Sequence, residues 1–400
     1  MREGTRFRAN GIEVEYFVFE KTHYTRHMPD GSKQRFDIKG RLIAKYDKFG
    51  NYLKLIYEGE NLRTVEDNNG RKLNFFYVQG RNKVSEIRGP GNLKVTYSYV
   101  NLDDLSSVVN AWGNKYTYEY DELHNLTKAT WPDNTFISIR YDTKNDWVIS
   151  FTDRDKCVEN YTYEFSKTDP KNNYWATVKK TCANELVSEN RYEFWHKQRP
   201  DGQVYLSKVQ QIVNGEITEV TYHEIFGKPL TIRRNNQKTS FDYYPDGLVK
   251  TKSTPSLKLT FKYHPENKKV TQVESQFYDE KGKPTVKRVS TFDYDEKGNI
   301  TTAKNSDGME VRMTFDSKGR ISTITDHAKR TVLLEYDERF GKQPVKVTRP
   351  GVGTITIKYN AKGEIQDVQS PDGLGVATQV ASTFNNLLDV VAPASTDLYL

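Results

Sequence analysis

Two histidines four residues apart, His23 and His27, have a spacing that grips zinc when it lies on a helix. The pair lacks the glutamate of the metalloprotease pattern. Its surroundings, His23-Tyr24-Thr25-Arg26-His27, alternate as a strand does, so surface histidines are the better reading. His124, His196, His223, His264 and His327 fall near turn positions of separate segments. Carboxylates cluster at Asp103-Asp104 and Asp153-Arg154-Asp155, and a glycoside hydrolase needs two of them facing across a cleft. Aspartate recurs throughout the chain, however, because turn chemistry selects it. There is no Gly-x-Ser-x-Gly elbow, phosphate-cradling loop or nucleotide fingerprint, and two cysteines give a thiolate zinc site no support. No catalytic, cofactor-binding or metal-binding residue is assigned, no cofactor is expected, and the chain reads as a non-enzyme.

Trp112, Trp131, Trp147, Trp175 and Trp195 sit beside predicted turns and resemble the flat platforms on which sugars stack. Cross-strand aromatic ladders on a thin sheet explain them more simply. A glycan platform on these five residues stays as the candidate binding site.

The elements that must position these groups follow from composition. Only 36% of the 400 residues are hydrophobic, yet 26 Tyr, 19 Phe and 5 Trp are too many for a disordered polar chain. With 25 Gly and 4 Met, the balance favours many short strands joined by tight turns around little aliphatic core. The 60 Lys and Arg and 53 Asp and Glu leave a net charge of +7 that is finely interspersed, with no basic stripe, which argues against nucleic-acid binding. Apolar runs such as Tyr16-Phe17-Val18-Phe19 fall far short of the roughly twenty residues a bilayer requires. Met1-Arg2-Glu3-Gly4-Thr5 has no apolar core behind it, so no signal peptide is expected in this stretch.

Internal repetition is the strongest signal. An aromatic anchor, an acidic residue, two variable residues, Gly, a polar residue and an aliphatic recur as Phe36-Asp37-Ile38-Lys39-Gly40-Arg41-Leu42, Tyr294-Asp295-Glu296-Lys297-Gly298-Asn299-Ile300 and Phe315-Asp316-Ser317-Lys318-Gly319-Arg320-Ile321. The commonest spacing of anchors is 21, and it loosens between 141 and 222, where a functional insertion has room to hide. A second turn class alternates with the first, as in Pro29-Asp30-Gly31, Pro200-Asp201-Gly202 and Pro371-Asp372-Gly373. Each repeat is therefore strand, turn, strand, turn. Asp295 is expected to face Asn299 across a type I turn closed by Gly298, which sets Tyr294 opposite Ile300.

This Tyr-Asp-x-x-Gly-Arg-Leu style of motif, alternating with Pro-Asp-Gly turns, resembles the YD or RHS (rearrangement hot spot) repeat family. The resemblance covers about residues 10–373 and is strongest at 28–57, 110–142 and 290–365. It implies an all-β fold: a continuous antiparallel β-hairpin repeat ribbon over 1–373, wound into a ring or spiral shell. Members include bacterial polymorphic toxins, shell components of insecticidal toxin complexes and animal teneurins, many of them secreted or surface-displayed. Ser370-Pro371-Asp372-Gly373 is only another turn, where toxin-bearing members hold a self-cleaving aspartyl site. Val376, Val380, Phe384, Leu387, Leu388 and Val391 have helical spacing, so 374–400 is expected to form a C-terminal amphipathic helix capping the last strand edge. At ~4.8 Å between strands the ribbon reaches roughly 160 Å, enough for one short turn of a spiral but not for a sealed cocoon.

Three function classes follow. The leading one is a non-catalytic secreted, periplasmic or cell-surface scaffold that binds a protein or glycan partner at the cell envelope. The second is a subunit or fragment of a toxin-encapsulating shell. The third is a glycan-active enzyme with its site in 141–222. Compartment is addressed by Cys157 and Cys182. If the hairpin between Phe165 and Tyr174 is centred between Asp169 and Pro170, opposed residues sum to 339. Phe165 then faces Tyr174, Tyr163 faces Ala176, and Cys157 faces Cys182 within disulfide reach. Two reduced thiols remain the alternative; a bridge points to an oxidising compartment.

Overall fold

A computed structural model of the protein describes residues 2–9, 12–101, 103–360, 363–373 and 390. Among these residues the chain forms 33 β-strands and two single-turn 3-10 helices, Pro90–Asn92 and Glu338–Phe340. Strand partners are neighbours in the chain and run antiparallel, as in Lys115–Tyr120 with Leu126–Thr130 and Glu310–Phe315 with Ile321–Asp326. The helix expected over 374–400, with Val376, Val380, Phe384, Leu387, Leu388 and Val391, lies outside the described residues; in that stretch only Val390 is described.

The strands fall into two compact units. One comprises Met1–Gly40, Tyr46–Asn51 and Ser240–Leu400. Its strands alternate cleanly, with Leu259 and Phe261, Val311 and Met313, and Val332 and Leu334 buried on one face. The other comprises Arg41–Lys45 and Tyr52–Thr239. Its buried apolar residues among those described are Ala44, Ala129 and Val209, and most of its aromatic side chains are half-buried. That unit has little closed core, as the aliphatic-poor composition implies.

The first turn class is built by its aspartate. At Asp316 one carboxylate oxygen accepts from the amides of Lys318 and Arg320, at 3.0 and 2.9 Å, while the Gly319 amide donates to the Asp316 carbonyl. Gly298 and Gly319 occupy the left-handed region, at φ 74° and 75°, where a Cβ is disfavoured. Tyr294 pairs with Ile300, and Asp295 donates its amide to Asn299. One residue beyond the pair the outgoing strand carries an extra residue: Asp293 pairs with Thr302, leaving Thr301 as a bulge. Ser322 and Thr127 bulge in the same way beside Phe315 and Tyr120.

The bulge explains why tyrosine dominates the anchors. Beside the bulge, where the next anchor is a tyrosine, its hydroxyl donates to the carbonyl of the aliphatic residue opposite the anchor before it. In one unit Tyr77 donates to Leu62, Tyr99 to Val84, Tyr141 to Leu126 and Tyr163 to Val148, all at 2.8–3.0 Å. In the other, Tyr263 donates to Val249, Tyr336 to Ile321 and Tyr359 to Pro344, at 2.8–2.9 Å. Each such bond contributes about 0.5–1.5 kcal/mol, and leaving the carbonyl unpaired costs more. Repeats with a tyrosine anchor are thereby latched to the one before; the repeat anchored by Phe315 has no hydroxyl to make that bond.

Candidate partner-binding surface

The loosened spacing between 141 and 222 comes from longer strands. Val158–Phe165, Asn173–Cys182, Glu185–Gln198, Val204–Val213 and Glu216–Tyr222 form a meander with strands of up to 14 residues, so the room for an insertion is taken up by lengthened hairpins. Two-residue connections at Ala183-Asn184 and Asn214-Gly215 close two of its hairpins, with all four residues at positive φ as a type I′ turn demands. The first hairpin runs with Phe165 against Tyr174, Tyr163 against Ala176 and Val158 against Thr181, the register that sums to 339. At its base the Cys157 and Cys182 sulfurs are 2.05 Å apart, with Cα atoms 4.3 Å apart.

This register lays aromatic rings side by side on one face. Phe165, Tyr174 and Phe194 are successive cross-strand partners. Trp147 packs on Tyr163 at 5.0 Å between ring centroids and on Phe165 at 6.1 Å. Tyr174 stacks on Phe194 at 5.4 Å and on His196 at 5.6 Å. Offset and tilted rings at these separations add about 0.5–1.5 kcal/mol per pair beyond burial. Phe165 is 47% exposed and Trp147 37%, so the ladder presents ring surface to solvent. Burial pushes the Tyr163 hydroxyl above its ordinary range.

Alternation sends Trp175 and Trp195 to the opposite face. Arg191 covers the Trp175 ring at 4.2 Å and Lys208 covers Trp195 at 3.7 Å. Trp131 lies at a turn beneath Arg154, whose guanidinium is 5.0 Å from the ring and also binds Asp133 at 2.6 Å. Trp112 sits on the tip of another turn, 68% exposed. The structure thus joins Trp147 to the ladder, places Trp175 and Trp195 on the other face, and leaves Trp112 and Trp131 at turn tips. The five do not make one platform. Tyr163, Phe165, Tyr174, Phe194 and His196 were not singled out from the sequence as a site; the signal was the hairpin register, which already set Phe165 against Tyr174.

The carboxylates weighed for acid–base work have other partners. Asp153 accepts from the Cys157 amide at 2.9 Å and from Lys180 at 2.7 Å; the Lys180 hydrogen bond holds its carboxyl below the usual range, against an opposing desolvation. The Asp155 amide donates to Asp153. Asp103 pairs with Lys83 at 3.1 Å, and buried Asp104 binds His124 Nδ1 at 2.9 Å. That hydrogen bond raises the His124 pKa. His124 stands at a positive-φ turn position, φ 65°, and ties its turn to the preceding repeat. His23 pairs with Glu20, and His27 stacks on Tyr16 at 4.7 Å. On an extended strand four residues span roughly 13 Å, too far for one zinc ion. Among the described residues there is no group of three or more His, Cys, Asp or Glu able to hold a metal.

A family model described as the Teneurin YD-shell matches residues 13–400. Teneurin-m of Drosophila melanogaster is 22% identical over 369 residues, covering 84% of this chain and 13% of that protein. Among solved structures, the TcdB2-TccC3-TEV crystal structure superposes with a TM-score of 0.55 at 12% identity, over 89% of this chain and 22% of the other. TcdB2-TccC3 without its hypervariable C-terminal region gives 0.55 at 12% identity, over 89% and 21%. The chain therefore spans about an eighth of Teneurin-m and about a fifth of those structures.

Proposed function

The chain belongs to the teneurin YD-shell family, and from that premise we propose that it is a non-catalytic repeat scaffold, secreted or displayed at the cell envelope, that binds a protein or glycan partner. The observation that carries this reading is the aromatic ladder Trp147, Phe165, Tyr174 and Phe194, exposed at Trp147 and Phe165 and half-buried at Tyr174 and Phe194, held together by cross-strand ring contacts. Exposed rings on a rigid sheet suit a partner interface, where aromatic side chains supply much of the binding energy. A Cys157–Cys182 bridge supports an oxidising compartment. Among the described residues no helix is long and apolar enough to cross a membrane. The ribbon over 1–373 is the scaffold proper, and 374–400 is its proposed cap.

A second reading makes the chain one component of a toxin-enclosing shell completed by other polypeptide. The fold shared with the TcdB2-TccC3 chains favours it. Against a glycan-active enzyme in 141–222 stands the engagement of Asp153 by Lys180 and by its own turn. Crosslinking in the native envelope followed by mass spectrometry tests the proposal. A discrete partner crosslinked to 141–222, and lost on Phe165→Glu, supports it. Cell-wall polymer cleavage by the purified chain, abolished by one carboxylate change in that segment, would replace it with the enzyme reading.

A further inference from the structure

In most turns of the first class the residue after the anchor is Asp, whose carboxylate closes the turn, as at Asp121, Asp295 and Asp316. After the neighbouring anchors Tyr243 and Tyr263 that place is taken by Tyr244 and His264, each followed by proline. His264 Nδ1 accepts from the amides of Glu266 and Asn267, at 3.3 and 3.4 Å, and so does the work of the missing carboxylate. In the neutral ring the other nitrogen then carries the proton and remains a donor. Tyr244 cannot close a turn in this way. Its hydroxyl instead donates forward to the Phe261 carbonyl at 3.0 Å, the reverse of the sense seen elsewhere, and its ring stands edge-on to Tyr263 at 6.0 Å and 87°.

Between these two turns lies an open groove of about 500 Å³, lined by Tyr244, Tyr263, Pro245 and Pro265 with Lys262, His264, Asp246 and Lys268 among its polar groups. That volume falls in the small-ligand class of roughly 300–1,000 Å³. Both tyrosine hydroxyls are spent on carbonyls, so what the rings offer is apolar surface. Charge on the rim is unbalanced. Asp246 is bound by Lys268 at 3.1 Å and by the Leu248 amide at 3.2 Å. Lys262 is exposed and makes no ion pair among the described residues, and Lys250 approaches the Tyr244 ring from outside, at 5.9 Å.

We propose that this groove binds a carboxylated sugar. Such a ligand has an apolar ring face for Tyr244, hydroxyls for the His264 N–H and the Asp246 carboxylate, and one anionic group for Lys262. The inference deepens the glycan arm of the scaffold reading and places it away from the tryptophans. Ligand-observed NMR titration of the intact chain with D-glucuronate, D-glucose and inorganic sulfate tests it. Glucuronate is expected to bind about tenfold more tightly than glucose, and Lys262→Gln, a surface change that leaves folding intact, to remove that difference. Tyr244→Leu is expected to weaken both sugars. Equal binding of the two sugars, binding of neither, indifference to Lys262→Gln, or sulfate binding as tight as glucuronate would each overturn the assignment. Loss of the groove with envelope crosslinks to 141–222 retained would overturn this site alone; loss of those crosslinks bears on the scaffold reading instead.

Discussion

Gly319 and Gly298 share the same backbone conformation but have different surroundings, and substituting alanine at each separates two costs. Both sit near φ 75°, where an L side chain costs roughly 1–2 kcal/mol. A Cβ on Gly298 meets nothing closer than Lys269 Cε at 3.5 Å, an ordinary contact. A Cβ on Gly319 would fall within the ring of Phe49, which belongs to the turn Asp47–Gly50 of the same compact unit. Displacing that ring adds about 1–3 kcal/mol of overpacking. Gly319→Ala is therefore expected to cost about 2–5 kcal/mol and Gly298→Ala about 1–2 kcal/mol. The cycle with Phe49→Ala should show coupling of about 1–3 kcal/mol for Gly319 and none for Gly298. Because a repeat array need not unfold in one step, hydrogen exchange of the amides in 310–326 is the appropriate assay. Equal costs at the two glycines, or no coupling to Phe49, would refute the assigned packing.

At Asp326, whose side chain is fully buried and which binds Arg330 as well as the amides of Ala328 and Arg330, Ala should cost about 1–2 kcal/mol more than Asn, which keeps the amide acceptor. Burial is the largest single influence and opposes ionisation, but the hydrogen bonds from the Arg330 side chain and from the Arg330 and Ala328 amides, with the Arg330 charge, together outweigh it and lower the pKa; stability from this group is thus present above the ordinary carboxylate range and lost as pH falls through the depressed value, a loss that Asp326→Asn abolishes in an acid titration of unfolding. Burial pushes the Tyr294 hydroxyl up to about 12, so its contribution is complete below an ordinary tyrosine pKa and disappears as pH rises through about 12; Tyr294→Phe should flatten the alkaline limb measured by circular dichroism. Reducing the Cys157–Cys182 bridge, or changing both to Ser, should destabilise the 158–182 hairpin by about 2–4 kcal/mol, and non-reduced peptide mass spectrometry of protein made in an oxidising compartment should recover the linked pair; two free thiols there would remove the compartment argument.

The turns were legible because their chemistry is local. Asp295, Gly298 and Ile300 each play a part that spacing alone dictates, and the Tyr294–Ile300 pairing follows from it. The hairpin at 165–174 was legible for the same reason. The tyrosine latch was not. It depends on a bulge at positions such as Ser322, which no residue type announces, and on contact between successive repeats. The tryptophans were visible as a set but not as a surface, because strand alternation sends Trp175 and Trp195 away from Trp147 and basic neighbours cover them. The groove at Tyr244 and His264 shows in sequence only as two adjacent departures from the Asp that normally follows the anchor.

The chain is an array in which each repeat is held by its neighbours, and Tyr141→Phe is the sharpest probe of that arrangement. That change deletes the hydroxyl bond to Leu126 and leaves the ring in place, at a cost of about 0.5–1.5 kcal/mol or up to about tenfold in local opening. Followed by hydrogen exchange and mass spectrometry, the faster exchange should be confined to 126–152, the strands that Tyr141 joins, with the rest of 52–239 unchanged. A uniform increase across 52–239 would mean one cooperative core and would contradict the account.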